Sequence, residues 1–169
     1  LNSLSLSKKE ARRIGFPLSA KLIERECVIA QGTLEGCTFA IENGIAFNIA
    51  GGTHHAFYDR GEAFCLLNDQ AIAANYLLDN NLAQRILIVD LDVHQGNGTA
   101  ALFQNNSSVF TFSVHCKANY PFQKELSDLD IPLEDNTKDI AYLSILEEAL
   151  LNLLKNLQPD FVFYLSGVD

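Results

Sequence analysis

Apolar runs alternate along this chain with segments in which apolar residues recur at helical spacing. The runs predict buried strands at residues 45–50, 85–93, 108–115 and 161–166. The helical spacing predicts helices at residues 28–42, 67–79, 99–104 and 138–157. Residues 7–25 are also predicted to be helical, with a break near Gly15 and Pro17, and Thr137 is the predicted cap of the last helix. Residues 119–136 are predicted to be irregular. Because the strands are continuously apolar, the pattern predicts a single α/β domain whose parallel sheet is covered on both faces.

Polar clusters follow three of the predicted strands, at residues 53–55, 90–97 and 166–169. In open α/β sheets, ligands bind at the carboxyl ends of the strands. We therefore expect the carboxylates, imidazoles and glycine turns of these clusters to line one crevice.

The segment "DLDVHQGNG" at residues 90–98 carries the strongest chemical signal. An extended backbone would place Asp90, Asp92 and His94 on one face of the strand. Asp92 and His94 could then bind one divalent ion, with Asp90 as a supporting partner. One imidazole with carboxylates and an open water position suits a catalytic zinc. Asp169 is the candidate for the further ligand from another strand.

Simpler explanations exist for each of these residues. A lone D-x-H at a strand end also occurs as polar residues without a metal, and Asp169 alone would be interpreted as a helix cap. The combination with the Gly-Gly-x-His-His segment favours the metal site. Gly96 and Gly98 would let the chain turn sharply and approach the site closely.

Composition narrows the class of protein. Of the 169 residues, 48% are hydrophobic and 20% are charged, which is typical of a globular domain. A net charge of −9 argues against broad electrostatic binding to nucleic acid or to an anionic membrane surface. No apolar run approaches the roughly 18 residues of a membrane span.

The four cysteines form no C-x-x-C pair, which argues against a disulfide framework or a thiolate zinc site. Because the sequence shows no signal-peptide pattern, we expect the protein in the cytoplasm or, if it comes from a eukaryote, in the nucleus. The first residue is Leu1, and the chain stops at Asp169, just after the last predicted strand, as though a loop should follow. We therefore expect the chain to be part of a longer protein.

Four segments together resemble one family. They are "GGTHHAFYDRGEAFCLLND", "ILIVDLDVHQGNGTAALF", "FSVHCKANYPF" and the terminal "SGVD". The chain is similar in them to the histone deacetylase superfamily of zinc amidohydrolases, most of all to its class IV branch and bacterial relatives. The resemblance covers residues 26–169, and residues 1–25, an N-terminal helical segment, match loosely. It implies a three-layer arginase/deacetylase-like α/β fold with a mainly parallel central sheet, and a single incomplete catalytic domain over residues 1–169.

The resemblance also implies roles for the polar residues. One zinc ion would be held by Asp92, His94 and Asp169. His55 would be the general base, and His54 would stabilise developing charge and help to protonate the leaving amine.

Two further residues match the partners of the paired histidines. Asp90 would orient His54. Asn97 stands opposite His55, where other branches of the family have an aspartate, so the two imidazoles should differ electronically.

The same resemblance implies a substrate tunnel and cation sites. Phe64 and Phe122 match the aromatic walls of an acyl-lysine tunnel, and Ala63 stands where relatives usually have glycine. A potassium ion is implied at Asp90, Asp92, His94, Ser113 and Val114, with an outer potassium site at the carbonyls of Phe103 and Val109. His115 has no role in this scheme and is expected to be a core residue.

The implied activity is a zinc-dependent deacetylase that removes acetyl or other acyl groups from lysine side chains or similar amines. Its expected partners are acetylated peptides, proteins or amines, with no direct nucleic-acid or membrane partner. The family's oxyanion-binding tyrosine follows a Gly-Gly pair, and no tyrosine of this chain has that setting. A non-catalytic module that binds zinc or acyl-lysine, or a truncated chain that lacks the catalytic tyrosine, is therefore an alternative. An arginase-type ureohydrolase is disfavoured, since it needs D-x-H-x-D and Gly96 occupies the last position.

Overall fold

A parallel sheet forms the centre of the computed structural model, which describes residues 6–167. Its strands are β1 (Ile86–Asp90), β2 (Val109–Cys116), β3 (Leu129–Leu133) and β4 (Phe161–Leu165). They lie in the order β3-β2-β1-β4, and each neighbouring pair is parallel. Every residue of β1 is buried, as expected of a central strand in a sheet covered on both faces. The predicted parallel α/β architecture is confirmed.

Helices cover both faces of this sheet. In chain order they are α1 (Lys8–Ile14), α2 (Ala20–Asn43), α3 (Asp69–Asp79), α4 (Asn97–Phe103) and α5 (Asp139–Leu157). Residues of α2, α3 and α4 pack with Ile86 and Ile88 of β1. Leu153 of α5 packs with Leu87 and Val89 on the opposite face. The result is three layers. No helix within residues 6–167 is both long and apolar enough to cross a membrane.

The first two helices end where the sequence indicated. Gly15 follows α1 with a φ of 83°, and Gly44 follows α2 with a φ of 91°. Both glycines adopt the left-handed conformation that commonly ends a helix. Ser19 caps the start of α2, where its Oγ accepts the Leu22 N–H at 3.1 Å. The predicted helix at residues 28–42 is therefore the C-terminal part of a longer one.

The prediction of a buried strand at residues 45–50 is wrong. The segment forms no strand, and its apolar side chains at Ile45, Phe47 and Ile49 are 62%, 83% and 102% exposed. The Asn48 side chain instead donates to the Ile29 carbonyl of α2 at 2.9 Å. The segment is thus attached to a helix surface rather than to the sheet.

Two other predictions about the second half of the chain also fail. Residues 119–136 were expected to be irregular, yet they contain β3, which tolerates Pro132 because it lies at the sheet edge. Thr137 does not cap α5. Lys138 occupies the cap position, and Thr137 Oγ1 donates to the Glu134 carbonyl at 2.7 Å.

A pair of leucines on α5 tests the packing of this layer. Leu153→Ala removes a side chain that is 8% exposed, and should lower the free energy of unfolding by about 2–5 kcal/mol through lost burial and a cavity. Leu151→Ala makes the same change at a side chain that is 63% exposed, and should cost less than about 0.5 kcal/mol. Urea denaturation measures both, and equal losses would contradict the assigned packing of α5.

Candidate active site

The turn after β1 carries Asp92 and His94. The strand ends at Asp90, although it was predicted to continue to residue 93. Asp90 Oδ1 accepts the N–H of Asp92 at 3.1 Å, and Asp92 Oδ1 accepts the N–H of His94 at 2.8 Å. Aspartate side chains commonly hold turns by bonding to the backbone two residues on. Asp90 and Asp92 therefore shape the turn that presents His94. This turn replaces the extended backbone that the sequence predicted here.

The donor atoms of Asp92 and His94 suit one metal ion. Asp92 Oδ1 lies at hydrogen-bonding distance from His94 Nδ1, 2.9 Å, and the side chains are 13% and 26% exposed. Two ligands on one tetrahedral zinc, each about 2.0–2.2 Å from it, would lie roughly 3.3 Å apart. Residues 6–167 contain no group of three or more metal-binding side chains. The remaining predicted ligand, Asp169, lies outside the described residues. Gly167 lies against Asp92, since a Cβ there would be 2.7 Å from Asp92 Cα.

His54 pairs with a carboxylate. The His54 and His55 side chains are each 5% exposed, with ring centroids 4.1 Å apart. His54 Nδ1 lies 2.6 Å from Asp90 Oδ2, and its Nε2 lies 4.0 Å from Asp92 Oδ1. Burial disfavours a charged imidazole, but the nearby carboxylates, Asp90 foremost and then Asp92 and Asp69, together outweigh it and raise the pKa of His54.

His55 pairs with a neutral amide. Its Nδ1 lies 2.7 Å from Asn97 Oδ1, which also accepts the N–H of Gly98 at 3.0 Å. Because the Gly98 N–H donates to the same atom, the Asn97 group that faces His55 is the carbonyl oxygen and not the NH₂ group. His55 Nδ1 therefore carries the proton and donates to this oxygen, and its Nε2 carries the lone pair. Burial, and then the charge of His54, lower the pKa of His55 to about 4.

The loop that carries the two histidines is held by Asp69, at the start of α3. This residue is 1% exposed. Its carboxylate accepts the N–H groups of Gly52 at 3.0 Å and Thr53 at 2.8 Å, and the hydroxyls of Thr53 at 2.8 Å and Thr33 at 2.6 Å. A buried carboxylate is tolerated when donors surround it in this way. The histidines thus follow a loop fixed by side chains, not the strand expected from the sequence.

Gly96 and Gly98 allow this loop to contact the turn after β1. A Cβ on Gly98 would overlap the Ala56 carbonyl oxygen and lie 2.7 Å from that of His54. A Cβ on Gly96 would overlap Asp90 Oδ2. The predicted close approach is confirmed. Position 96 has no room for the further carboxylate that a two-metal ureohydrolase would need.

Glu62 and Tyr120 also belong to the site, although the sequence did not single them out. The Tyr120 ring contacts His55 edge-on, with centroids 5.1 Å apart. Its hydroxyl donates to Glu62 Oε1 at 2.5 Å, and Asn97 Nδ2 donates to the same oxygen at 3.2 Å. Burial, and then the bond to Glu62, raise the pKa of Tyr120, so its hydroxyl remains a donor. In the sequence, the only sign of their role was their position beside the predicted tunnel residues, Glu62 near Phe64 and Tyr120 near Phe122.

The two predicted tunnel residues are exposed. Phe122 is 90% exposed and contacts Tyr120 edge-on, with centroids 6.4 Å apart. Phe64 is 58% exposed and packs against Phe16 at 5.0 Å. Ala63 has a φ of 44°, a conformation that favours glycine. Phe122 adjoins the site through Tyr120, and the role of both phenylalanines as tunnel walls stays a prediction.

The residues of the inner predicted cation site lie near the end of β1, whereas Val109 of the outer site is paired with Ile86 at its start. Ser113 of β2 is paired with Asp90, and its Oγ lies 3.0 Å from Nδ1 of the buried His115. Val114 is 2% exposed. Phe103 and Val109, predicted for the outer site, belong to the apolar core. Both potassium sites stay predictions.

Comparison with known proteins decides the family. The profile of the histone deacetylase domain matches residues 2–169. The chain belongs to the histone deacetylase family.

Relatives from bacteria and plants agree with this membership. An uncharacterized protein of Picosynechococcus sp. is 52% identical over 98% of this chain and 55% of its own length. Histone deacetylase 2 of Arabidopsis thaliana is 33% identical over 82% of this chain and 36% of its own length. The acetoin utilization protein AcuC of Bacillus subtilis is 29% identical over 90% of this chain and 43% of its own length. The chain thus spans about half, or less, of the length of these relatives.

A solved histone deacetylase homolog from Aquifex aeolicus has the same fold. Its TM-score is 0.80 at 25% identity, over 96% of this chain and 48% of that one. A homolog complexed with SAHA gives a TM-score of 0.80 at 26% identity, with the same coverage. The arginase/deacetylase-like fold is confirmed for the part of the domain that this chain covers.

Two glycines test the contact between the histidine loop and α4. Gly98→Ala forces a Cβ onto backbone carbonyls and should lower the free energy of unfolding by about 1–3 kcal/mol. Gly36→Ala makes the same change inside α2, where the nearest atom would be 3.7 Å away, and should stabilise by about 0.5–1 kcal/mol. Urea denaturation of both variants measures the opposite signs, and a neutral Gly98→Ala would contradict the close contact.

Proposed function

We propose that this member of the histone deacetylase family is a zinc-dependent deacetylase. It would hydrolyse the amide that joins an acetyl or other acyl group to a lysine side chain or a similar amine. The observation that carries the proposal is the pair of buried, adjacent histidines with unlike partners, Asp90 for His54 and Asn97 for His55. Their unlike partners suit the acid and base roles that amide hydrolysis requires.

Asp92, His94 and Asp169 would hold the zinc. The proposal is supported by the 2.9 Å separation of the Asp92 and His94 donor atoms. When bound, zinc supplies the Lewis acid that polarises the amide carbonyl and acidifies a water. The remaining chemistry belongs to the side chains around it.

His55 would act as the base, because its Nε2 carries the lone pair while Asn97 holds the proton on Nδ1. It would take the proton of the attacking water at Nε2. His54, held by Asp90, would stabilise the charge that develops and help to protonate the leaving amine. Tyr120 does not serve as the family's oxyanion-binding tyrosine, because its hydroxyl is bonded to Glu62.

The substrate would be an acyl-lysine or an acylated amine that reaches the site past Phe64 and Phe122. Their exposed rings could line the path of a slender aliphatic chain. The net charge of −9 suits a cationic protein tail or a polyamine. Protein tails and polyamines would carry the same acylated amine, so turnover measurements on both distinguish the two substrate classes.

Turnover by the full-length, zinc-loaded protein tests the activity. Acetyl-lysine peptides, longer acyl-lysine peptides and acetylpolyamines form the substrate panel. His55→Ala should lower kcat by about 100- to 10,000-fold, because it removes the general base. Tyr58→Phe, at a side chain that is 95% exposed, is the control and should leave kcat unchanged. A zinc-bound protein that turns over none of these substrates would instead support a binding module.

Zinc content tests the metal site independently. Asp92→Asn removes a ligand charge and should weaken zinc binding by more than the 10- to 100-fold typical of losing an outer hydrogen-bonding partner of a ligand. Asp59→Asn, at a side chain that is 70% exposed, is the matched control and should retain zinc. Competition with a chelator gives both affinities. Unchanged zinc affinity in Asp92→Asn would remove this residue from the metal site.

A further inference from the structure

Asn97 links the buried His55 to a carboxylate. Its Oδ1 lies 2.7 Å from His55 Nδ1, and its Nδ2 donates to Glu62 Oε1 at 3.2 Å. A carboxylate therefore reaches His55 through one intervening amide. Asn97 is 3% exposed, so water has little access to compete for these bonds.

The orientation of the Asn97 amide decides which nitrogen of His55 is protonated. With Oδ1 toward the ring, His55 Nδ1 donates and Nε2 carries the lone pair. In the flipped amide, the NH₂ group would face Nδ1 and place the proton on Nε2, where it blocks proton uptake. A flip would also turn the amide oxygen toward the Glu62 carboxylate, an acceptor facing an acceptor. A flip would also remove the acceptor of the Gly98 N–H, which donates to Oδ1 at 3.0 Å. Glu62 and the Gly98 N–H thus both disfavour the inactive orientation.

Glu62 is itself held in place. Its side chain is 18% exposed, and its Oε1 also accepts the Tyr120 hydroxyl at 2.5 Å. Its Oε2 lies 3.5 Å from Arg60 Nε, and the Arg60 guanidinium lies over the Phe57 ring at 3.5 Å. These contacts fix the carboxylate on the far side of Asn97 from His55.

We infer that Glu62 is a positioning residue that acts through Asn97: together with the Gly98 N–H, its carboxylate fixes the Asn97 amide and thereby holds His55 in the tautomer with the proton on Nδ1. The inference rests on the proposed function, because it takes His55 as the base. It also explains why an amide, and not a carboxylate, occupies position 97. An aspartate there would face Glu62 with no proton between the two groups.

Glu62→Ala removes the acceptor for Asn97 Nδ2. It should lower kcat by about tenfold, the scale of losing a partner that orients a catalytic group, while KM changes less than about twofold. Glu62→Gln keeps an oxygen that can accept from Asn97 and should retain most of kcat. Steady-state kinetics on the full-length, zinc-loaded protein separate the two variants.

The tautomer can be measured without reference to turnover. In ¹⁵N-labelled, zinc-loaded full-length protein, the imidazole nitrogen shifts of His55 distinguish a protonated Nδ1 from an unprotonated one. We expect a protonated Nδ1 in the native protein and in Glu62→Gln, and a mixture of tautomers in Glu62→Ala. Native His55 with its proton on Nε2, or an unchanged tautomer in Glu62→Ala, would overturn the inference.

A double-mutant cycle separates this role from a merely structural one. Asn97→Asp alone should lower kcat, because two carboxylates then face each other. Asn97→Asp combined with Glu62→Gln should restore kcat, because the glutamine NH₂ can donate to the new carboxylate. If Glu62 only anchored Tyr120, the combination would be no better than Asn97→Asp alone. Because the cycle does not use Glu62→Ala, it still tests the positioning role of Glu62 if that variant fails to fold.

Failure of the inference differs from failure of the proposed function. A native protein that is inactive on every substrate contradicts the deacetylase proposal, while its His55 shifts still report the tautomer. An active native protein whose His55 tautomer ignores Glu62 contradicts only the inference.

Discussion

The site depends on the close contact between the loop at residues 54–55 and the start of α4. The Thr99 N–H donates to the His54 carbonyl at 3.1 Å, and Gly98 lies directly beneath the same backbone. Any side chain at position 98 would push the two segments apart. The histidines come from the loop, Asn97 comes from the start of α4, and Asp90 is the last residue of β1. This backbone contact therefore sets the distance between His55 and Asn97 and places His54 beside Asp90.

Buried carboxylates hold that arrangement from two sides. Asp69 fixes the loop before the histidines, and Asp90 joins the turn after β1 to the His54 ring. Each carboxylate is surrounded by donors, which offsets the cost of its burial. Burial lowers the pKa of both imidazoles. The charged partner of His54 reverses this effect and raises its pKa, whereas the pKa of His55, which has a neutral partner, stays lowered. Two neighbouring imidazoles thereby acquire different properties.

A continuous series of contacts runs from the buried His55 ring to the surface. His55 contacts Asn97, which contacts Glu62, which accepts the hydroxyl of Tyr120. The Tyr120 ring in turn touches the exposed ring of Phe122. The His55 ring and an exposed aromatic residue are thus linked by contacts through one carboxylate.

Local patterns were sufficient for most of the secondary structure. The strands at 86–90, 109–116 and 161–165 and the helix at 139–157 were found because apolar runs and helical spacing are properties of neighbouring residues. The same local reasoning failed at residues 45–50, because an apolar segment lying on a helix has the composition of a buried strand. It also failed at β3, whose proline and acids are tolerated only because the strand lies at the sheet edge.

The family, the paired histidines and the D-x-D-x-H segment could be recognised from the sequence, since each rests on short stretches with a recognisable spacing. The arrangement of these residues in space depends on the tertiary structure. The turn that presents His94 comes from carboxylate bonds to the backbone, and not from strand alternation. Glu62 and Tyr120 stand 58 positions apart, and no local pattern relates them. Their meeting at Asn97 requires the loop, the turn and the segment after β2 to pack together, which is a property of the whole fold.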